Sequence, residues 1–180
     1  MAFLTVAQAK DHGTVQALVD DQRSVTWSEL DIRVNKLINA LRDRGLTAGD
    51  TVAVVAGNQC EWFEIAQACA HGGWTYVPVN WHWVADELAY VFSDADASAV
   101  FVDQRFDDQV SSALQDSRSV GVRLVVGIGT ESRAGVRQDA RFIGYEDLLA
   151  SGSGEEPSDQ LLGGPMFYTS GTTGRPKGVR

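Results

Sequence analysis

The stretch TVAVVAGNQCEWFEIAQACAHGGWTYVPV, residues 51–79, carries the clearest information about the fold. It opens with the apolar run TVAVVA, which is typical of a strand buried on both faces of a sheet. A helix is predicted next, ending at Gly72 and Gly73, and WTYVPV then supplies a second strand. Because a strand, a helix and a strand in this order form a βαβ unit, the stretch predicts two parallel strands joined by a crossover helix.

The same alternation extends on both sides of this unit. Upstream, two short strands are predicted within residues 14–26, followed by a helix that begins at a capping box of Thr26 and Glu29. Downstream, SAVFVD and VRLVVGI are predicted strands separated by helical segments. The pattern predicts an α/β fold, a doubly wound and mostly parallel sheet with flanking helices. Further on, YEDLLA is predicted to form a short helix, and residues 151–160 a flexible tether.

The composition is that of a globular chain with an acidic surface. Its 180 residues are 44% hydrophobic, and the formal net charge is −9. This charge argues against nucleic acid as a partner, because proteins bind its phosphates with clustered cations. Any phosphate site must therefore be local, built from backbone N–H groups and one or two placed cations.

Neither a membrane span nor a signal peptide is predicted. No window approaches the roughly 18 to 20 apolar residues of a span, and the N-terminus, which includes His12, is expected to be unstructured. Cys60 and Cys69 fall in one predicted helix about 13 Å apart, too far for a disulfide. Free thiols suit a reducing compartment and favour the cytoplasm. His71 lies beside a predicted helix end, where a cation would suit the helix dipole.

The closing segment TSGTTGRPKG, which begins at Thr169, has the chemistry of a phosphate cradle. Its glycines let backbone N–H groups approach a ligand, its hydroxyls are donors, and Lys177 supplies a point charge. The candidate binding residues are Thr169, Ser170, Gly171, Thr172, Thr173, Gly174 and Lys177. The segment is not a Walker A loop, because Pro176 precedes the lysine and Gly178 follows it. Composition alone would also fit a disordered tail.

The segment MFYTSGTTGRPK, residues 166–177, resembles the AMP-binding signature of the acyl-adenylate-forming enzymes at each of its positions. VTWSELDIRVNKLINALRDRGLTAGDTVAVVAGNQCEW and GGWTYVPVNWHWVADELAYVFSDADASAVFVD are similar to earlier regions of the same superfamily, in the same order. The resemblance begins near Val15 and is weakest across residues 129–160. Within the superfamily, the sequence is most like a fatty acyl-CoA synthetase.

This resemblance implies a ligase that uses ATP, Mg²⁺ and CoA. A carboxylate would attack ATP to give an acyl-adenylate, and a thiol would then displace AMP. Residues 165–178 would be the phosphate-binding loop, with Thr169 near the metal, the residues from Ser170 to Gly174 along the phosphates, and Lys177 paired with them. The catalytic residues stay unknown.

The resemblance also implies a longer protein, because family members are about three times as long as this chain. Residues 1–180 would be an incomplete N-terminal portion of the AMP-binding domain, inactive alone. The strand that follows the loop is expected beyond Arg180. A homodimer of the full-length form is left open.

The substrate inference depends on Asn80, in YVPVNWHW. The resemblance favours a fatty or related carboxylic acid there, whereas peptide-synthetase relatives tend to have an acidic residue. The alternative is that Asn80 only caps the loop before the next helix. His82, between two tryptophans, is expected to be a packed loop residue. Two other functions stay open: a non-catalytic nucleotide-binding fragment or remnant, and a doubly wound interaction domain.

Overall fold

The computed structural model describes residues 4–129, 139–169 and 176–179. Its main feature is a six-stranded sheet in the order β7-β6-β5-β3-β4-β8, and every neighbouring pair is parallel. The strands are β3 (Thr51–Val55), β4 (Thr75–Pro78), β5 (Ala97–Asp103), β6 (Leu124–Ile128), β7 (Phe142–Gly144) and β8 (Gly164–Pro165). The predicted α/β fold with a mostly parallel sheet is confirmed.

Six helices flank this sheet in the described part of the chain. They are α1 (Leu4–His12), α2 (Trp27–Asp43), α3 (Cys60–Gly72), α4 (Ala85–Asp94), α5 (Asp107–Leu114) and α6 (Tyr145–Ser151). Short 3₁₀ turns at Gln104–Phe106 and Ser117–Gly121 lie next to α5. The path therefore alternates between strands and helices through most of the chain, as the pattern predicts.

The central strand β3 shows why the sheet is doubly wound. Every residue of β3 is buried. Val52 and Val54 belong to a core cluster with side chains of α2, α3 and α6, whereas Ala53 and Val55 belong to a second cluster with side chains of α4 and α5. Because successive side chains of a strand point to opposite faces, a continuous apolar run is what two such cores require.

An antiparallel ribbon precedes the first crossover. Strands β1 (Gln16–Val19) and β2 (Ser24–Thr26) pair antiparallel across residues 20–23. Helix α2 then begins at Thr26, whose hydroxyl accepts from the Glu29 N–H while the Glu29 carboxylate accepts from the Thr26 N–H. The predicted capping box is confirmed.

A buried carboxylate links the ribbon to three helices. Glu64 in α3 is fully buried, and its oxygens accept hydrogen bonds from Arg23 and Arg33, each at 2.8 Å, and from the Tyr145 hydroxyl at 2.7 Å. Burying a carboxylate is costly unless cations and donors surround it. Here the two guanidiniums and the phenol satisfy that requirement, and burial beside Glu64 raises the pKa of Tyr145.

The N-terminal residues correct two expectations. Residues 4–12, expected to be unstructured, form α1, and the buried Thr5 hydroxyl lies 3.5 Å from Nδ1 of His71. His71 is only 1% exposed, and burial lowers the pKa of its imidazole to about 4. The side chain is therefore neutral at neutral pH, so a cation favoured by the helix dipole does not explain it. Its burial in α3 beside Thr5 of α1 explains its position.

The segment predicted to be a flexible tether contacts α2. The side-chain amide of Asn39 donates to the carbonyl oxygens of Ser153 and Glu155, at 2.8 and 3.0 Å, and Arg42 pairs with Asp159 at 2.6 Å. Pro157 is buried. The composition of this segment could not predict these contacts with α2. Flexibility of residues 151–160 stays a prediction.

In the described ranges, no helix is long and apolar enough to cross a membrane.

Candidate phosphate-binding site

The closing segment leaves the edge of the main sheet as a separate hairpin. Strand β8 pairs with β4, and the Met166 N–H then donates to the Tyr76 carbonyl at 2.9 Å. The chain continues as β9 (Phe167–Thr169), which pairs antiparallel with β10 (Lys177–Val179). The expectation that the strand after the loop lies beyond Arg180 was wrong. The residues that lead into the loop form two short strands, β8 and β9, and not one.

The hairpin brings together two of the seven predicted binding residues. Lys177 is the direct pairing partner of Thr169, and both are exposed. Directly opposite residues of an antiparallel pair have Cβ atoms about 4.5–5.5 Å apart on the same face. The structure therefore presents a hydroxyl and an ammonium side by side. The other predicted residues, Ser170, Gly171, Thr172, Thr173 and Gly174, lie outside the described residues, so their roles stay predictions.

The hairpin stands at the end of the sheet where such folds bind ligands. It follows β8, whose neighbour β4 runs parallel to it, so it leaves at the carboxyl ends of both strands. In doubly wound sheets, ligands bind outside the carboxyl ends of the strands. Helix α4 packs against the hairpin, and Trp83, just before α4, meets the ring of Tyr168 edge-on at 6.3 Å. No period or motif in the sequence indicated these contacts, which join distant positions.

The loop after β4 is ordered by local contacts. The side-chain oxygen of Asn80 accepts from the His82 N–H at 3.0 Å, and α4 is capped instead at Val84, whose N–H donates to Glu87. The Trp81 ring stacks on Phe106 with centroids 5.5 Å apart, and the His82 ring lies tilted against it with centroids 3.5 Å apart. The His82 side chain touches the Trp81 ring but is exposed, so the expected packing is only partly present. Asn80 has a local structural role whatever the substrate is.

A cleft of about 650 Å³ opens elsewhere at the same end of the sheet. Its walls come from the β1–β2 turn and from the segments after β3, β5 and β6, and no described hairpin residue lines it. Both arginines in its walls are paired with carboxylates: Arg105 bonds Asp103, and Arg23 bonds Glu61 at 2.9 Å. The candidate phosphate-binding residues Thr169 and Lys177 thus lie apart from this cleft, at the hairpin, where the Lys177 side chain is exposed.

Metal binding by the protein alone is not indicated in the described ranges. No group of three or more His, Cys, Asp or Glu side chains could hold an ion there. Mg²⁺ suits such a site nonetheless, because it keeps several waters and takes most other oxygens from substrate phosphates. The Thr169 hydroxyl stays the predicted protein contact of Mg²⁺.

Comparison with known proteins identifies close resemblances over most of the chain. A 3-oxocholest-4-en-26-oate–CoA ligase of Rhodococcus rhodochrous is 33% identical over 165 residues, covering 91% of this chain and 29% of that protein. The fatty acid–[acyl-carrier-protein] ligase ScoC of Streptomyces coeruleorubidus is 29% identical, covering 97% of this chain and 31% of that protein. The chain thus spans about three tenths of the length of these relatives.

The fold has a counterpart among solved structures. The anthranilate CoA ligase AuaEII, solved in complex with anthranoyl-AMP, superposes with a TM-score of 0.86 over 97% of this chain and 33% of its own, at 22% identity. At this level of identity, the likeness shows that the two chains share a fold and no more. The family model for AMP-binding enzymes matches residues 6–180, nearly the whole sequence. The chain therefore belongs to the AMP-binding enzyme family.

Proposed function

We propose that residues 1–180 are the N-terminal part of an ATP-dependent ligase. The ligase activates a fatty or related carboxylic acid as an acyl-adenylate and transfers the acyl group to CoA. The observation that carries the proposal is the placement of Lys177 directly opposite Thr169, at the two ends of a loop rich in glycine and hydroxyls. The names of the relatives, all acid ligases, support it.

In the first half-reaction, a carboxylate oxygen attacks the α-phosphorus of ATP. The bond between that phosphorus and the oxygen bridging to the β-phosphorus breaks, and pyrophosphate leaves. Both reactants are anions, so donors and cations must hold the phosphates and offset the charge that develops. Lys177 would pair with the β- and γ-phosphates, and the loop from Ser170 to Gly174 would donate to them. The Thr169 hydroxyl would meet the Mg²⁺ that accompanies ATP.

In the second half-reaction, the thiol sulfur of CoA attacks the carbonyl carbon of the acyl-adenylate. The bond from that carbon to the phosphate oxygen breaks, AMP leaves, and the thiol proton passes to solvent. A carrier-protein thiol is the alternative acceptor, because one relative is named for that reaction. We further propose a cytoplasmic location, which suits the two buried free cysteines, and a homodimer for the full-length form.

Exchange of radiolabelled pyrophosphate into ATP tests the first half-reaction. The full-length polypeptide that carries residues 1–180 would be assayed with octanoate, palmitate, 3-oxocholest-4-en-26-oate and benzoate, and without any acid. We expect exchange with at least one aliphatic or steroid acid, and AMP release when CoA is added. Exchange with benzoate alone would refute the fatty substrate class. No exchange with any acid, from protein that is folded, would refute the ligase.

A further inference from the structure

We propose that Tyr90 and Asp94 of α4 are positioning residues for the phosphate-binding hairpin, β9 and β10. Asp94 bonds a residue of β9, and Tyr90 bonds the residue just before β10. The proposal rests on the proposed function, because it assigns these residues a part in ATP binding. Neither residue belongs to the loop itself. Both lie on one face of α4, since residues four apart in a helix are neighbours on its surface.

The first contact holds β9. The Tyr168 hydroxyl donates to a carboxylate oxygen of Asp94 at 2.6 Å. This length is that of a bond from a hydroxyl to an ionised acceptor, which is stronger than one between neutral groups. Burial, helped by the Asp94 carboxylate, raises the pKa of Tyr168 well above its usual range, so the phenol keeps the proton that it donates.

The second contact holds β10. The Tyr90 hydroxyl donates to the carbonyl oxygen of Pro176 at 3.1 Å, and the other Asp94 oxygen lies 3.3 Å from the same hydroxyl. A phenol has one proton, so the two acceptors compete for it, and the shorter contact is to Pro176. Asp94 thus touches both tyrosines, and α4 reaches both strands of the hairpin through one connected group.

Packing around Tyr168 fixes the direction of its bond. Trp83 meets one side of its ring edge-on, and Gly178 of β10 lies across the hairpin. A Cβ at Gly178 would lie 3.2 Å from Cζ of Tyr168 and 3.1 Å from the Met166 sulfur. The absence of a side chain at Gly178 lets the ring sit close against β10, with its hydroxyl facing Asp94.

The hairpin needs such support because it is short. Among the described residues, three pairs join β9 to β10, and an isolated two-stranded hairpin is at best marginally stable in water. Tyr168 directly precedes Thr169, and Pro176 directly precedes Lys177. Each anchor is therefore one residue from a group proposed to meet the nucleotide. Holding both anchors fixes the separation of the hydroxyl and the ammonium before ATP arrives, and such preorganisation raises affinity.

Two substitutions that each remove one oxygen test this role in the full-length polypeptide. They are Tyr90→Phe and Tyr168→Phe, made singly and together. Tyr76→Phe, in β4 of the neighbouring sheet, is the matched control, because its hydroxyl bonds none of the described residues. Asp94→Ala removes the carboxylate that contacts both tyrosines and leaves the bond from Tyr90 to Pro176 in place. Asp94→Asn keeps an acceptor and should have a milder effect than Asp94→Ala.

The first readout is hydrogen exchange of the peptide covering residues 167–179, without nucleotide. We expect exchange to be about twofold to tenfold faster in each single variant, faster still in the double variant, and unchanged in Tyr76→Phe. The second readout is ATP–pyrophosphate exchange. We expect KM for ATP to rise about twofold to tenfold with kcat changing less, because the anchors affect the assembly of the site and not the reacting atoms.

The outcomes separate this inference from the proposed function. Unchanged hydrogen exchange of the hairpin in the double variant would overturn the inference, even if the wild-type protein is an active ligase. Faster exchange with unchanged KM and kcat would overturn it too, since the bonds would then be structural only. If the wild-type protein lacks ligase activity but Mg·ATP slows exchange of its hairpin, the ligase proposal fails. The inference then stands only if the variants lose that slowing.

Discussion

Lys177 lies directly across the β9–β10 hairpin from Thr169, although seven residues separate them in the chain. The pairing places a cation and a hydroxyl on one face of a short ribbon, at the carboxyl end of a parallel sheet. A point charge there can meet a polyanion even though the chain carries a net charge of −9. The potential at a site depends on the nearest groups, because solvent and salt screen charges more than about 10 Å away.

Removal of the Lys177 charge should therefore weaken adenylation specifically. For Lys177→Ala in the full-length polypeptide, we expect kcat/KM for ATP in pyrophosphate exchange to fall roughly tenfold to a thousandfold, within the range for loss of one group that stabilises charge in a transition state. Lys10→Ala, at an exposed position in α1, makes the same charge change away from the hairpin and should have little effect. Equal losses in the two variants would show that only the overall charge matters.

His71 should make stability depend on pH. Its pKa is about 4 in the folded chain, below the usual value of 6.5, so the unfolded chain binds the proton first as the pH falls. This contribution is complete above about pH 6.5, is lost as the pH falls toward 4, and levels off below that, a change of roughly 3 kcal/mol in the free energy of unfolding. Urea unfolding at pH 7, 5.5 and 4.5 measures it.

Two variants isolate this effect from the titration of carboxylates. His71→Gln should unfold with a shallower loss of stability between pH 7 and 4.5 than the wild-type protein. His12→Gln, at the exposed end of α1, should show the wild-type slope. A His71→Gln slope equal to that of the wild-type protein would mean that the imidazole takes up its proton equally in the folded and unfolded states.

The sequence predicts β3, β4, β5 and β6 because their signals are local, whereas the short edge strand β7 was not predicted. TVAVVA and SAVFVD are continuous apolar runs, and β3 and β5 are buried at every residue. The capping box of α2 needs only Thr26 and Glu29, three residues apart. The phosphate loop is likewise contiguous, so its residue types are visible together in the chain.

What the sequence did not predict depends on contacts between distant positions. Helix α1 has no apolar stripe of its own, and its one buried residue, Thr5, meets His71 across 66 positions. Glu64 and Tyr145 are 81 positions apart, and Tyr168 and Asp94 are 74 apart. Such pairs exist only once the sheet has brought their elements together, so no local period or motif marks them.

Loss of the Glu64 carboxylate should be costly, because it leaves Arg23 and Arg33 partly uncompensated beneath the surface. We expect Glu64→Gln to lower the free energy of unfolding by about 3 kcal/mol, in the range for removing one member of a buried ion pair. Glu155→Gln, at an exposed position, makes the same change and should cost less than about 0.5 kcal/mol. Urea unfolding at pH 7 compares them, and equal midpoints would contradict the stabilising role of the Glu64 cluster.

Gly163 and Gly164 provide a matched pair for testing how the hairpin is attached to the sheet. The Gly163 N–H donates to the Ala70 carbonyl at 2.9 Å, and a Cβ at this residue would overlap the carbonyl oxygens of Cys69 and Trp74. These are backbone atoms, which cannot rotate away as a side chain could. At Gly164, in β8, a Cβ would meet nothing within 4 Å.

Gly163→Ala should therefore destabilise the protein by about 1–3 kcal/mol or more, the usual cost of overpacking, whereas Gly164→Ala should change stability by about 0.5 kcal/mol or less. Because Gly163 directly precedes β8, its displacement should also loosen the path to β9 and speed hydrogen exchange of residues 167–179. Urea unfolding gives the first comparison, and exchange of that peptide gives the second. If Gly163→Ala is as stable as Gly164→Ala, the close approach of this segment to α3 is not required. The attachment of the hairpin would then depend on β8 pairing and on the α4 contacts alone.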